Sequence, residues 1–357
     1  MPGWIAWLRR PKRANALQVG NALGNLRIQH YDEELLNMPL EKVQNYFGFP
    51  TTKRIQKKLY LMNIIWQLYE KIQAATRPED RPDFYNKRGF IRGMWYHVKT
   101  RVDHLDEFKG DHSGTVNDAL TEMVKAGVCS YQDFNFRDRD KDMRKLGREN
   151  PHIILFTEKD GFISVMEDLH ANYGCNVITL GGKPSLMSTN YLVSEIVAAG
   201  IDLTQEFVCV SIVDFDPSGH VIAESFLEQL KLSGLRKFHR FEQYHRKDSE
   251  RLDLIRPDNL PMGTSLRKVW YPLPKTEQKP AWGKKTGGVD GQGDFKHGIE
   301  SDEFKEAQLQ ELVEEAILPH LRVGADVVRR RVQLRQLGQA LKDYLMDRMT
   351  HPSVGAS

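Results

Sequence analysis

Asp214 and Asp216 stand one residue apart, at the end of the mostly apolar run Val208–Val213 and just before Pro217, Ser218 and Gly219. The run has the composition of a buried parallel strand. Two carboxylates at the end of such a strand and ahead of a turn face the same side, and in open α/β sheets that edge is where ligands bind. Neighbouring carboxylates repel and require a cation, a proton or a basic partner. A hard divalent ion such as Mg²⁺ suits them, because it takes oxygen ligands and keeps waters for phosphates. The plainer alternative is an acidic loop at a strand end with no metal, since Asp-x-Asp alone is common.

The surrounding residues say what positions the pair. HIILFTEKDG (152–161) reads as a strand ending in Glu158, and FISVMEDLHANYG as a helix closing at Gly174. CNVITLGGKPS is a second strand with a turn at Gly181-Gly182-Lys183, and STNYLVSEIVAAG a helix. FVCVSIVDFDPSG is the third strand, and HVIAESFLEQLKLSG the helix after it. This alternation predicts an α/β fold with a parallel sheet and right-handed crossovers. Glu158, the glycine turn, Asp214 and Asp216 then all fall at C-terminal strand ends. Three carboxylates from two strands can hold Mg²⁺ beside a phosphate.

The earlier part of the chain has a different period. Residues 1–50 read as an irregular N-terminal arm with one short helix near Glu33–Tyr46. From Thr51, which with Thr52 is a candidate cap, Ile55, Leu59, Met62, Ile65, Leu68 and Ile72 recur at three- and four-residue steps, one face of a long helix. A second helix is expected from about Asn86 through RGFIRGMWYHVKTRV, and a third over TVNDALTEMVKAG, capped by Thr115 and ending at Gly127. VCSYQDFNFRDRD then alternates like a strand or short hairpin. Three helices followed by a small β element is the order of a winged helix-turn-helix, which can place a helix in DNA; a helical packing domain is the other reading. The charged run 137–150 marks the domain boundary. Residues 275–298, rich in Gly and Lys, read as a mobile, disordered insertion. A helix before Pro319 and a basic helix from Val323 end the chain, the latter packing on the domain or on a second subunit.

Composition narrows the class without choosing the function. A chain of 357 residues, 40% hydrophobic and 28% charged, has room for two domains and a substantial core. A net charge of +3 imposes no global field for nucleic acid. Basic residues still cluster, at Arg9, Arg10, Lys12 and Arg13, at Lys53, Arg54, Lys57 and Lys58, and at Arg329, Arg330, Arg331 and Arg335. Cys129, Cys175 and Cys209 lack metal-ligand spacing and imply a reducing, intracellular setting. No apolar run reaches the roughly 20 residues of a membrane span, and the N-terminal order of charge and apolar residues is wrong for a secretory signal.

Taken together, these residues resemble a family. A strand ending in Glu, followed later by one ending in Asp-x-Asp, is similar to the Toprim domain of topoisomerases, bacterial-type primases and some nucleases. The likeness is closest to the A subunit of topoisomerase VI and the related meiotic double-strand-break enzyme. EKDGFISVMEDL (158–169), TLGGKPSLMSTNYL (179–192), VDFDPSGHVI (213–222) and HGIESDEF (297–304) carry it. The resemblance implies a winged-helix domain at 51–148 and a Toprim domain at 149–357. The family's arginine, two variable positions, aromatic and tyrosine are matched by Arg92, Gly93, Met94, Trp95 and Tyr96, which makes Tyr96 the implied nucleophile and Arg92 its phosphate-side helper. Taken alone, Trp95 and Tyr96 read as aromatic residues of a helix core. Gly93 stands where the family has an acidic residue, and Asn190 where it has an arginine. The span from Tyr96 to Glu158 is also short, which implies a compact, divergent relative, of the kind a mobile element carries.

The function implied is Mg²⁺-dependent, type IIB-like cleavage of double-stranded DNA through a tyrosyl–DNA link. Glu158, Asp214 and Asp216 are the implied metal ligands, and a homodimer the implied unit. A phenol, with a pKa of about 10, needs a neighbouring cation, base or metal to react. The chain lacks a P-loop, so ATP-driven strand passage calls for a separate GHKL-type ATPase subunit. The implied setting is intracellular, the cytoplasm or nucleoid in a prokaryote. Two alternatives stand beside this reading: a Toprim nuclease or DNA-processing factor without a covalent tyrosine, and a non-catalytic DNA-binding or assembly protein with a relic metal site.

Overall fold

The structure is a computed structural model and describes residues 34–350 apart from 49, 139, 244–245, 261–268 and 323. The basic cluster at Arg9–Arg13 and most of the expected arm lie outside the described residues. The chain divides into two compact units, Met1–Arg139 and Asp140–Ser357. No described helix is long and apolar enough to cross a membrane.

The regular secondary structure of the first unit is all helix among its described residues. The short helix expected near Glu33–Tyr46 is two, α1 (Glu34–Asn37) and α2 (Leu40–Phe47), separated at Pro39. Helix α3 (Lys53–Ala74) begins where the Thr52 side chain accepts a hydrogen bond from the Ile55 N–H at 3.3 Å. Leu59, Met62, Ile65, Leu68 and Ile72 are buried as their spacing requires, and Leu61 and Ile64 join them. The next helix starts later than expected. A short α4 (Asp83–Asn86) ends in a turn where Arg88 adopts φ 48°, and α5 runs only from Ile91 to Val102. Helix α6 (Ser113–Lys125) starts ahead of Thr115: the Asp111 carboxylate accepts from the Ser113 N–H at 2.9 Å. It closes through Gly127 at φ 69°, with the Val128 N–H on the Met123 carbonyl.

The strand or hairpin expected after α6 is not formed. Residues 132–134 make a single 3₁₀ turn, closed by Asn135 in the left-handed region at φ 51°. The alternation there marks aromatic burial rather than pleating: Phe134 stacks on Phe136, and Phe136 on Phe84. The first unit therefore has no strand among its described residues.

The second unit is an α/β sandwich. Strands β1 (Arg144–Lys145), β2 (Asn150–Thr157), β3 (Cys175–Thr179), β4 (Val208–Ile212) and β7 (Leu252–Asp253) form one sheet in the order β1-β3-β2-β4-β7, antiparallel only at β1. Arg144 is buried and bonds Glu195 at 2.7 and 2.9 Å, so this part of the charged run belongs to the sheet rather than to a linker. Side chains alternate across the sheet as the pleat dictates. Ile153 and Leu155 pack with α7 (Ile163–Tyr173) and α11 (Glu306–Ile317); Ile154 and Phe156 pack with α8 (Leu186–Ala198) and α9 (Pro217–Leu232). All three cysteines are free and buried, as small core side chains.

The Gly- and Lys-rich stretch 275–298 is packed, contrary to its expected disorder. It holds α10 (Pro280–Thr286), whose Trp282 is buried, and ends in β9 (His297–Ile299), paired antiparallel with β8 (Trp270–Pro272). Its glycines serve close approach. A Cβ at Gly288 would lie 1.9 Å from the Asp294 carbonyl oxygen, and one at Gly283 would lie 2.4 Å from that of Gly293. The remaining elements are the hairpin β5 (Phe241–Gln243) and β6 (Arg246–Ser249), and the terminal helix α12 (Ala325–Thr350).

Candidate functional site

Thr157 at the end of β2 pairs with Thr179 of β3 on one side and Ile212 of β4 on the other. Three parallel strands thus finish level, and the residues that follow share one edge. Glu158 comes off β2, and its carbonyl accepts from the Gly182 N–H at 2.8 Å. Gly181 and Gly182 have φ of 58° and 100°, which explains glycine at both positions. The Lys183 side chain is exposed.

Asp214 and Asp216 leave β4 on either side of Phe215, and the chain turns at once into α9. Asp216 is the cap of that helix, its Oδ1 accepting from the Gly219 N–H at 2.6 Å, with Pro217 in the first turn. A Cβ at Gly219 would sit 2.3 Å from the Asp214 carbonyl oxygen, so only glycine lets the helix start this close to the strand. The other Asp216 oxygen accepts from the Tyr271 hydroxyl at 2.5 Å. Burial, and then Asp216 itself, push the Tyr271 phenol well above its ordinary range.

The acidic stretch HGIESDEF, whose role the residues alone leave open, completes this edge. Ile299 and Phe215 exchange backbone hydrogen bonds of 2.8 and 3.1 Å, which carries Ser301 onto Asp214. Asp214 Oδ1 accepts from the Ser301 N–H at 2.7 Å and from its hydroxyl at 2.6 Å. Lys159 bridges the same oxygen at 3.1 Å and Asp302 at 2.8 Å. Although burial opposes its charge, the two aspartates hold the Lys159 ammonium above its ordinary pKa.

Glu158 is the odd member. Its Oε2 is buried and has no hydrogen-bond partner among the described residues. Its carboxyl is pushed up to about 8, by burial first and then by Asp214, within hydrogen-bonding reach, and Asp216; Lys159 acts in the opposite sense. Among the described residues no three acidic, histidine or cysteine side chains are already gathered into a cage. The donor set nevertheless fits a hard cation: oxygen ligands only, one of them buried and unpartnered, and two more on the same edge. Beside Asp216 the surface forms a cleft lined by Asp214, Phe215, His220, Arg256 and Trp282. Arg256 is buried there over the Phe215 ring, and the buried indole N–H of Trp282 has no partner among the described residues.

Tyr96 and Arg92 lie in the other unit, on α5. Trp95 is a core residue, packed edge-on against His112, whereas Tyr96 is 57% exposed. The core-aromatic reading thus fits Trp95 and not Tyr96. Arg92, one turn earlier on the same face, is exposed and 3.8 Å from Asp111. The basic start of α3 is engaged within its own unit: Lys58 pairs with Glu122 at 2.5 Å, Arg54 with Asp118 at 3.9 Å, and Lys57 donates to the Glu107 carbonyl. Sequence reasoning missed Lys159, Tyr271, Ser301 and Asp302 as parts of the edge; HGIESDEF was the signal available for the last two. No protein-family model matches this chain, and no curated protein matches it either.

Proposed function

We propose that this protein is a Mg²⁺-dependent DNA strand-cleaving subunit of the topoisomerase VI A-subunit type, a helical DNA-binding unit followed by a Toprim unit, acting through a tyrosyl–DNA intermediate. One observation carries the reading: Glu158, with a buried unpartnered oxygen, faces Asp214 on the edge where Asp216 also ends. Glu158, Asp214 and Asp216 would hold the ion, which when bound neutralises charge developing on the scissile phosphate. Tyr96 is the nucleophile. Its oxygen bonds to phosphorus as its proton leaves, the bond from phosphorus to the 3′ oxygen breaks, and the 3′ end departs as a hydroxyl. The 5′-phosphotyrosyl link keeps the bond energy for resealing. Arg92, exposed on the same helix face, offers its guanidinium to the phosphate. Double-strand cleavage needs a homodimer in which the tyrosine of one protomer serves the carboxylates of its partner, and strand passage needs a GHKL-type ATPase partner.

A second reading, metal-dependent hydrolysis without a covalent tyrosine, gains support from the first unit. It lacks the wing strands among its described residues, and its Tyr96 side chain stands exposed on the surface. The test is incubation with supercoiled plasmid and Mg²⁺, quenched in detergent with and without protease. The proposal expects broken DNA that enters a gel only after proteolysis, and no such species with Tyr96→Phe. Cutting that persists in Tyr96→Phe without an adduct selects hydrolysis.

A further inference from the structure

Helix α12 spans 26 residues and begins on the second unit, where Val328 is buried and Val332 packs beside it. From Gln333 to Met349 every residue is exposed, roughly 25 Å of helix at 1.5 Å per residue. This stretch is not uniformly polar. Leu334, Leu337 and Leu341 are 69%, 68% and 58% exposed, and Tyr344 continues the 3-4-3 spacing. At 100° per residue these side chains occupy the face opposite Val328 and Val332, so the helix's own unit does not cover them. A lone helix of this length is marginal in water, and a leucine stripe at this spacing is the pattern of a helix that packs on another.

We propose that the stripe pairs with the same stripe of a second copy, antiparallel and centred on Gln339. In that register Leu337 meets Leu341 and Leu334 meets Tyr344, twice over by symmetry. Gly338 and Ala340 flank the centre, where small side chains allow close approach of the backbones. Charge favours this orientation over the parallel one. Arg329, Arg330, Arg331 and Arg335 crowd the first half of the helix, whereas in the second half Asp343 and Asp347 balance Lys342 and Arg348. An antiparallel pair sets each basic half against a neutral one; a parallel pair sets the two basic halves together. Four large side chains from each copy, every one more than half exposed, would leave water together in such a pair, the scale of a small, reversible interface. The inference rests on α12 alone, not on the cleavage reading.

Sedimentation of the full chain from low to high micromolar concentration tests it. A reversible dimer is expected, weakened about a hundredfold by the pair Leu337→Lys and Leu341→Lys, with the melting temperature of the monomer unchanged because both leucines are exposed. Orientation is read by mixing Leu337→Cys with Leu341→Cys under mild oxidation. The antiparallel register joins one variant to the other, and the buried native cysteines do not compete. A wild-type chain that stays monomeric, a dimer indifferent to the paired lysines, or cross-links within Leu337→Cys alone would each overturn the proposal.

Discussion

The two places that the cleavage reading brings together are built in opposite ways. On the carboxylate edge, Asp214 and Asp216 are held by donors from four places: Ser301, Lys159, Gly219 and Tyr271. On α5, Tyr96 and Arg92 stand in solvent, and the contact fixing Arg92 is a 3.8 Å pair with Asp111, itself exposed. A site whose groups are fixed before substrate arrives stabilises charge at little reorganisation cost. A displayed side chain acquires its geometry only from what docks on it. The contrast means that the carboxylate edge can be probed without DNA, whereas the tyrosine cannot.

The largest expected effect breaks the edge itself. Asp214→Ala removes a carboxylate and strands the Ser301 donors and Lys159, and plasmid cleavage should fall by about 10²–10³-fold, the range for losing one charge-stabilising group. Tyr96→Phe should abolish the protein–DNA adduct while leaving Mg²⁺ binding, measured calorimetrically, unchanged. A shift in Mg²⁺ affinity in that variant would contradict the division of labour between the two regions.

A third prediction concerns pH. Glu158 stays protonated up to about 8 because burial and two neighbouring aspartates oppose its charge. With a folded-state pKa above the unfolded one, its contribution to stability is full below the ordinary carboxyl range and is lost as pH rises through about 8. Metal binding must expel that proton, so Mg²⁺ affinity should rise with pH over the same window and the ion should restore the stability lost. Calorimetry in buffers of different ionisation enthalpy should find proton release on binding. Glu158→Gln should flatten both the melting profile and the proton release.

These contrasts also explain what the chain discloses by itself. The second unit was legible because buried parallel strands are apolar runs and Gly174 and the Asp216-Pro217 pair punctuate them; the shared register of Thr157, Thr179 and Ile212 follows from that alternation. The partners of the carboxylates were not legible. Ser301 reaches Asp214 across 87 residues and Tyr271 reaches Asp216 across 55, on strands of three residues that are too short to show a period. Glycine misled at 275–298, where Gly283 and Gly288 allow tight packing that composition reads as looseness. The aromatic alternation at 128–138 misled in the other direction, since Phe134 and Phe136 are buried from a 3₁₀ turn and a loop rather than from a strand.

A fourth prediction sharpens the account of the edge. Lys159 already supplies a positive charge to Asp214, so it competes with any divalent ion there. Lys159→Ala should destabilise the metal-free protein, because Asp214 and Asp302 lose the ammonium that bridges them, and should tighten Mg²⁺ binding roughly tenfold, or ~1.4 kcal/mol. Weaker binding in the variant would instead make Lys159 a positioning residue for the ligands.

The smallest effect separates fold from chemistry at Asp216. Its two oxygens serve the helix cap and the Tyr271 hydroxyl, so the residue has a structural task whether or not it also binds an ion. Tyr271→Phe keeps the ring and removes only the donor. The loss of one hydrogen bond to a charged acceptor costs about 1.5–3 kcal/mol where water cannot replace it. Asp216 is buried but borders the cleft, so the lower end applies, a fall in melting temperature of about 3–6 °C for a unit of this size. If Asp216 is only a cap, the variant's Mg²⁺ affinity should match that of the wild type. If Asp216 is a ligand, freeing its Oδ2 should raise the affinity by a few-fold while stability falls, and opposite signs in one variant cannot come from a merely loosened fold.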